Sequence, residues 1–69
     1  MERQVLIEIN GERREVLKQS MLELLESLGI DPKRVAVELN MDILPKAEYP
    51  GRELAEGDKI EIVHFVGGG

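Results

Sequence analysis

One amphipathic helix between segments of strand pattern constrains the fold of this chain more than any other feature. Ser20 and Glu23 match a capping box, in which each side chain accepts a hydrogen bond from the other residue's backbone N–H. Gly29 suits the left-handed residue that ends a helix. The apolar positions between them follow helical spacing, at Met21, Leu24, Leu25 and Leu28. Such a stripe has to be buried, so the helix is expected to pack on one face of a sheet.

Period-two alternation of apolar residues predicts the strands of that sheet. The predicted strands are residues 4–9, 12–17, 35–39, 43–44 and 59–66. Asn10-Gly11 joins the first two and is the dipeptide best suited to a type I′ turn, and Leu54 is predicted to be a core anchor in the loop before the last strand. These elements predict an α+β fold of the β-grasp, or ubiquitin-like, arrangement, with a mixed sheet of four to five strands and one main helix across one face. The expected division is a domain over residues 1–66 and a flexible Gly-Gly-Gly tail over residues 67–69.

Composition narrows the class of function. The formal net charge is −5, and the basic residues are scattered rather than clustered, which disfavours nucleic acid as a partner. The absence of cysteine excludes a disulfide or thiolate metal site. No apolar run approaches the roughly 20 residues that span a bilayer, so no membrane association is expected. We therefore expect a cytoplasmic domain that is monomeric when free and that favours positively charged protein surfaces.

Three stretches and the chain end occur in an order that is familiar. They are Asn10-Gly11-Glu12, residues 35–40 (VAVELN), Leu54 followed by residues 57–63 (GDKIEIV), and a Gly-Gly end. Together they cover essentially the whole chain and resemble the ThiS family, the sulfur carrier proteins of thiamine biosynthesis. Met41 departs from the family pattern, which often has glycine after the asparagine, and this leaves the turn type open.

The resemblance implies that Gly69 is the residue that is modified. In that family an adenylating, E1-like enzyme uses ATP and Mg²⁺ to convert the C-terminal carboxylate to an acyl-adenylate. A persulfide sulfur on a donor protein then displaces AMP and leaves a thiocarboxylate, from which thiazole synthase takes its sulfur. ATP and Mg²⁺ belong to the adenylating partner, so this chain is expected to bind no cofactor or metal and not to be an enzyme. Gly67 and Gly68 are predicted to present the carboxylate, since backbone without Cβ atoms fits a narrow pocket.

A partner-binding patch is predicted beside the tail. If the isoleucines of the last strand face the helix, parity places Val63 and Phe65 on the opposite face. Leu6 and Ala36 have the same outward parity on neighbouring strands, and exposed contiguous apolar surface usually marks a partner site. The predicted patch comprises Leu6, Ala36, Val63, Phe65 and Val66. A bulge near Val63 would instead reverse the parity and bury Phe65, and both interpretations stay open here.

Other chemistry has weaker support in the sequence. His64 is the only histidine, and a half-exposed structural imidazole is favoured over a ligand or base. Ser20 already serves as a helix cap, which leaves little for a Ser-His arrangement. The carboxylates of Glu56, Asp58 and Glu61 are interpreted as solvated surface rather than an acid–base pair.

Several alternative functions remain at this stage. The three glycines are also compatible with a frayed terminus of no function. A carrier similar to the small subunit of molybdopterin synthase is the close rival, although the approach to the tail here contains no proline. A ubiquitin-like modifier joined to lysines through Gly69, and a plain interaction module of β-grasp fold, are the two remaining classes.

Overall fold

A computed structural model of the chain describes residues 3–66. The elements are β1 (Gln4–Ile9), β2 (Glu12–Leu17), α1 (Met21–Ser27), β3 (Val35–Leu39), β4 (Asp42–Leu44) and β5 (Lys59–His64), with short 3₁₀ turns at Pro32–Arg34 and Lys46–Glu48. The strands form one five-stranded sheet in the order β2-β1-β5-β3-β4. The β1–β5 pair is parallel, and the other neighbours are antiparallel. This mixed sheet with one helix confirms the β-grasp arrangement predicted from the sequence.

Both hairpins turn through residues with positive φ. Asn10 and Gly11 have φ of 49° and 84°, as the predicted type I′ turn requires. Asn40 and Met41 have φ of 51° and 75° in the β3–β4 connection. The second turn, whose type the Asn40-Met41 sequence left open, is therefore left-handed at both residues. Its methionine adopts a positive φ that glycine would adopt at lower conformational energy.

Helix α1 begins and ends as the sequence indicated. Ser20 Oγ accepts from the backbone N–H of Glu23 at 3.1 Å, and Glu23 Oε1 accepts from the N–H of Ser20 at 2.9 Å. At the other end Gly29 has φ 74° and donates to the carbonyl of Glu26, while the N–H of Ile30 donates to the carbonyl of Leu25. That pair of bonds is a Schellman ending, which satisfies two of the helix's last carbonyls.

The core lies between α1 and one face of the sheet. Alternate residues of the strands point into it, as do the apolar residues of the helix and the predicted loop anchor Leu54, which is fully buried. Its main members are Val5, Ile7, Met21, Leu24, Leu25, Val35, Val37, Tyr49, Leu54, Ile60 and Ile62. Burial of its phenol raises the pKa of Tyr49, an effect partly offset by a hydrogen bond with the backbone of Val37. Within residues 3–66, no helix has the length and apolar character needed to cross a membrane.

Candidate functional site

The predicted working residues Gly67, Gly68 and Gly69 lie outside the described residues, as does the predicted boundary of a tail at residue 67. The site is therefore described through the segment that leads to them. Strand β5 is that segment, and it ends at His64 rather than continuing to Val66 as the sequence pattern suggested. Its central place in the sheet means that neighbours on both sides fix its course.

On the β1 side, β5 is held by an amide side chain beyond the end of the main-chain ladder. The N–H of Asn10 donates to the carbonyl of Ile60, and there β1 turns away into the hairpin. The side chain of Asn10 continues the pattern: its Oδ1 accepts from the N–H of Ile62 at 2.7 Å and its Nδ2 donates to the carbonyl of Ile62 at 3.2 Å. The amide of Asn10 thus occupies the place of a further peptide group, and it extends the parallel pairing two residues along β5.

On the β3 side, pairing continues to the last residues before the tail. The register with β3 is unbroken from Ile60 to His64, so the bulge that would have buried Phe65 does not occur. The N–H of Phe65 donates to the carbonyl of Arg34 at 2.9 Å, and 58% of Phe65 is exposed. Val66, the next residue, is 98% exposed. The chain is therefore held at Phe65 and stands clear of the body at Val66.

An apolar surface borders this exit on the outer face of the sheet. Val63 pairs directly with Ala36, and Val63 is 57% exposed while Ala36 is half-buried. The next pair on the same face of these two strands is Glu61 with Glu38, which places two carboxylates at the edge of the apolar pair. Exposed apolar surface beside acidic groups is suited to a partner surface that is apolar at its centre and basic at its margin.

Leu6 does not belong to this surface, and its predicted continuity with Val63 is wrong. Strands β1 and β5 are parallel, with Glu8 opposite Lys59, and the N–H of Gly57 donates to the carbonyl of Leu6. Leu6 therefore lies beside the start of β5, six residues before Val63, or about 20 Å along the strand. Parity placed Leu6 on the correct face, since it is 40% exposed, but parity contains no information on register.

Ile43 is an exposed apolar residue that the sequence analysis left out of the patch. Ile43 lies on β4, pairs with Glu38 of β3 and is 74% exposed. The available signal was its alternation with Leu44, which is buried against the core. Ile43 lies on the outer face across β3 from Glu61, so it widens the apolar and acidic surface towards the sheet edge.

The carboxylates interpreted as solvated surface differ in their surroundings. Glu61 is exposed as expected, whereas Asp58 is only 5% exposed, and its interpretation as solvated is wrong. Its carboxylate accepts from the N–H of Ala55 at 2.8 Å and from Asn40 Nδ2 at 3.0 Å, and it forms an ion pair with Arg52 at 3.3 Å. Asp58 is therefore a structural group that ties the loop before β5 to the β3–β4 turn.

Within residues 3–66, no three histidine, aspartate or glutamate side chains lie close enough together to hold a metal ion. His64 is exposed at the end of β5, opposite Val35 in the register. It lies on the helix side of the sheet and borders an open groove of about 280 Å³ with Asn10 and Arg14.

The fold and this exit segment define a class of small β-grasp domains whose central last strand leads the chain outward from one end of the sheet. The family model of the ThiS family matches residues 6–69. The chain belongs to the ThiS family.

Known proteins of similar sequence agree with this assignment. The chain is 38% identical over 64 residues to the sulfur carrier protein ThiS of Thermus thermophilus, with 93% of this chain and 100% of that protein covered. It is 41% identical over 66 residues to ThiS of Bacillus subtilis, with the same coverage. The thiamine biosynthesis protein ThiS of Geobacter metallireducens has a crystal structure that matches with a TM-score of 0.81 at 29% identity, over 94% of this chain and 100% of that one.

Two relatives are much longer than this chain. The thiazole synthases of Paramagnetospirillum magneticum and Magnetococcus marinus are 48% and 44% identical to it over 62 and 64 residues. The match covers 88% and 91% of this chain, which spans only about a fifth of each synthase.

Proposed function

We propose that this protein is a sulfur carrier of thiamine biosynthesis whose C-terminal carboxylate, on Gly69, is adenylated and then converted to a thiocarboxylate. The observation that carries the proposal is the family match, which continues through the last strand to Gly69 itself. The exit geometry supports it, because Val66 stands clear of the body only three residues before that carboxylate.

The chemistry follows from the properties of a carboxylate. With a pKa of roughly 3.5 it is ionised at neutral pH, and one of its oxygens is able to attack the α-phosphorus of ATP, releasing pyrophosphate. The acyl-adenylate then has a good leaving group, so the terminal sulfur of a persulfide attacks the acyl carbon and AMP departs. A second thiol then attacks the donor's cysteine sulfur in the acyl disulfide. A new disulfide forms between those two sulfurs, the original S–S bond breaks, and the thiocarboxylate is released. These steps are assigned to partner enzymes, and this chain acts as carrier rather than catalyst.

Presentation of the carboxylate is the part assigned to this chain. Gly67 and Gly68 are proposed to lie against the walls of a partner's active site, where Cβ atoms would collide. Ordering these residues on binding costs about 1–2 kcal/mol each, so the body has to contribute contact energy of its own. We assign that contact to the patch Ala36, Val63, Phe65 and Val66, without Leu6, and to an adenylating enzyme and a thiazole synthase as successive partners.

The resemblance to the two thiazole synthases supports the second partner. Each contains a segment, about a fifth of its length, that is 48% or 44% identical to this chain, and this supports the proposal that the chain acts together with a thiazole synthase. Such joint action needs an interface between the two, and the apolar surface beside the exit is suited to that use.

Intact-mass spectrometry tests the function directly. Incubation with the adenylating enzyme, ATP, Mg²⁺ and a persulfide donor is expected to increase the mass of the chain by the difference between sulfur and oxygen. A chain that lacks Gly69 is the control and is expected to keep its mass. A full-length chain whose mass never changes under these conditions contradicts the proposal.

Two matched substitutions test the patch. Val63→Ser and Leu6→Ser each remove an exposed apolar side chain from the same face of the sheet, at opposite ends of it. We expect Val63→Ser to raise the KM of the adenylating enzyme for the carrier by about fivefold, the effect of roughly 1 kcal/mol of lost contact. Leu6→Ser is expected to leave KM unchanged, and equal effects of the two substitutions would show that the patch is not where we place it.

A further inference from the structure

Lys46 connects the core to the point at which the tail leaves the body. Its ammonium Nζ donates to the carbonyls of Val35 at 2.6 Å and Pro32 at 3.0 Å. The same Nζ lies 5.8 Å from the ring centroid of the buried Tyr49 and 5.2 Å from that of the exposed Phe65. One cation therefore contacts the segment before β3, a core ring and the last residue held before the tail.

Phe65 is fixed from two directions as a result. Its backbone N–H donates to the carbonyl of Arg34. In the sequence, Arg34 lies between Pro32 and Val35, whose carbonyls accept from Lys46. Its ring lies within the distance at which a cation is attracted to an aromatic face. Beyond Ile62, where the amide of Asn10 makes its contact, these bonds and the pairing with β3 hold the chain. The position of Phe65, from which Val66 leaves the body, is therefore held in part by Lys46.

We propose that Lys46 is a positioning residue for the acyl terminus: by fixing Phe65 it sets the direction of the tail and keeps Gly69 aligned for adenylation. This inference rests on the proposed function. Loss of the positioning lowers the fraction of bound carriers whose carboxylate reaches the α-phosphate. Of the patch, Val63 and Ala36 lie in paired strands and keep their contact, and only the share of Phe65 and Val66 is affected. The consequence is a fall in kcat of the adenylating enzyme that is larger than the accompanying rise in KM for the carrier.

The test compares three substitutions by pyrophosphate release with the carrier as the varied substrate. Lys46→Met keeps the aliphatic stem but removes the cation, and we expect kcat to fall about two- to fivefold, as removal of an exposed cation–π contact implies. Lys46→Arg keeps a cation that is able to donate to carbonyls, and it is expected to restore most of the loss. Lys33→Met is the control, since it removes the same charge from the neighbouring turn at an exposed residue.

A second measurement does not depend on turnover. In the unmodified carrier the ring of Phe65 is expected to shift the NMR signals of the Lys46 ε-methylene protons, and the Phe65 amide is expected to be protected from hydrogen exchange. Lys46→Met should expose that amide and Lys46→Arg should keep it protected.

The outcomes separate this inference from the function on which it rests. If the carrier without substitutions is adenylated and Lys46→Met has the same kcat as Lys33→Met, the positioning role is wrong and the carrier function stands. A loss that falls entirely on KM, or that Lys46→Arg does not repair, also overturns it. If no carrier is adenylated, the proposed function fails. The positioning role is then judged by hydrogen exchange alone, and it is refuted if the Phe65 amide of Lys46→Met exchanges at the same rate as in the chain without substitutions.

Discussion

The side chain of Asn10 should contribute more to stability than an ordinary turn residue, and the substitution Asn10→Gly isolates that contribution. Glycine adopts the φ of 49° without strain, so the substitution removes the amide and leaves the turn possible. Two hydrogen bonds to Ile62 are lost, each with a net value of about 0.5–1.5 kcal/mol. The greater freedom of glycine in the unfolded chain adds about 0.4–1 kcal/mol. The expected fall in the free energy of unfolding is therefore about 1.5–4 kcal/mol.

Urea and thermal unfolding measure this change. In a domain of this size 1 kcal/mol corresponds to a shift in Tm of about 4–8 °C, so Asn10→Gly should lower Tm by at least about 6 °C. Native-state hydrogen exchange locates the effect. The Ile62 amide, which donates to Asn10, should lose more protection than the Leu24 amide, which donates to Ser20 within the helix.

The result that would refute this reasoning is equally specific. If Asn10→Gly unfolds within about 0.5 kcal/mol of the unmodified chain, and the Ile62 and Leu24 amides change together, then the amide does not extend the parallel ladder in solution. Asn10 would then be only a turn residue.

Three further predictions follow from other parts of the molecule. Met41→Gly should raise the free energy of unfolding by about 0.5–1 kcal/mol in urea titration. The left-handed methionine costs about 1–2 kcal/mol, the freedom of glycine in the unfolded chain offsets part of that gain, and little packing is lost at a side chain that is 88% exposed. A less stable variant would contradict the positive φ. Gly68→Val should leave Tm unchanged and abolish adenylation in the pyrophosphate assay, and a loss of Tm similar to that of a core substitution would show that the tail is part of the body. Because burial raises the pKa of Tyr49 above its usual value near 10, the folded state holds that proton more tightly than the unfolded state, and stability should be full below about pH 10 and fall as the pH rises through the raised pKa. Tyr49→Phe should remove that part of the pH dependence of Tm, and an unaltered alkaline slope would show that another group causes it.

Local patterns predicted the elements of this fold well because their causes are local. The capping box at Ser20 and the left-handed Gly29 need only their own neighbours, and the structure shows both. Alternation within β5 likewise placed Ile62 inside and Val63 outside. Each of these follows from side-chain direction over a few residues.

The errors arose where partners are far apart in the sequence. Parity predicts that Leu6 and Val63 share a face, but their separation depends on the register between β1 and β5, which parity does not determine. The sequence around Asp58 predicts a solvated turn residue, but Asn40, 18 residues away, and Arg52 both donate to its buried carboxylate. No pattern in the sequence predicts the contacts of Lys46. A lysine in a turn has the same sequence context whether its ammonium is in water or lies over two aromatic rings.

The parallel pair at the centre of the sheet also determines when this protein is able to fold. Strands β1 and β5 are neighbours although Ile9 and its partner Ile60 are about 50 residues apart. The entropy of closing that loop is recovered only once β5 is available, so the growing chain has no complete sheet before β5 leaves the ribosome. A chain that lacks β5 has lost the middle of its sheet. Every folded copy is therefore one in which synthesis has passed Ile60, the strand residue from which the chain continues to the proposed site.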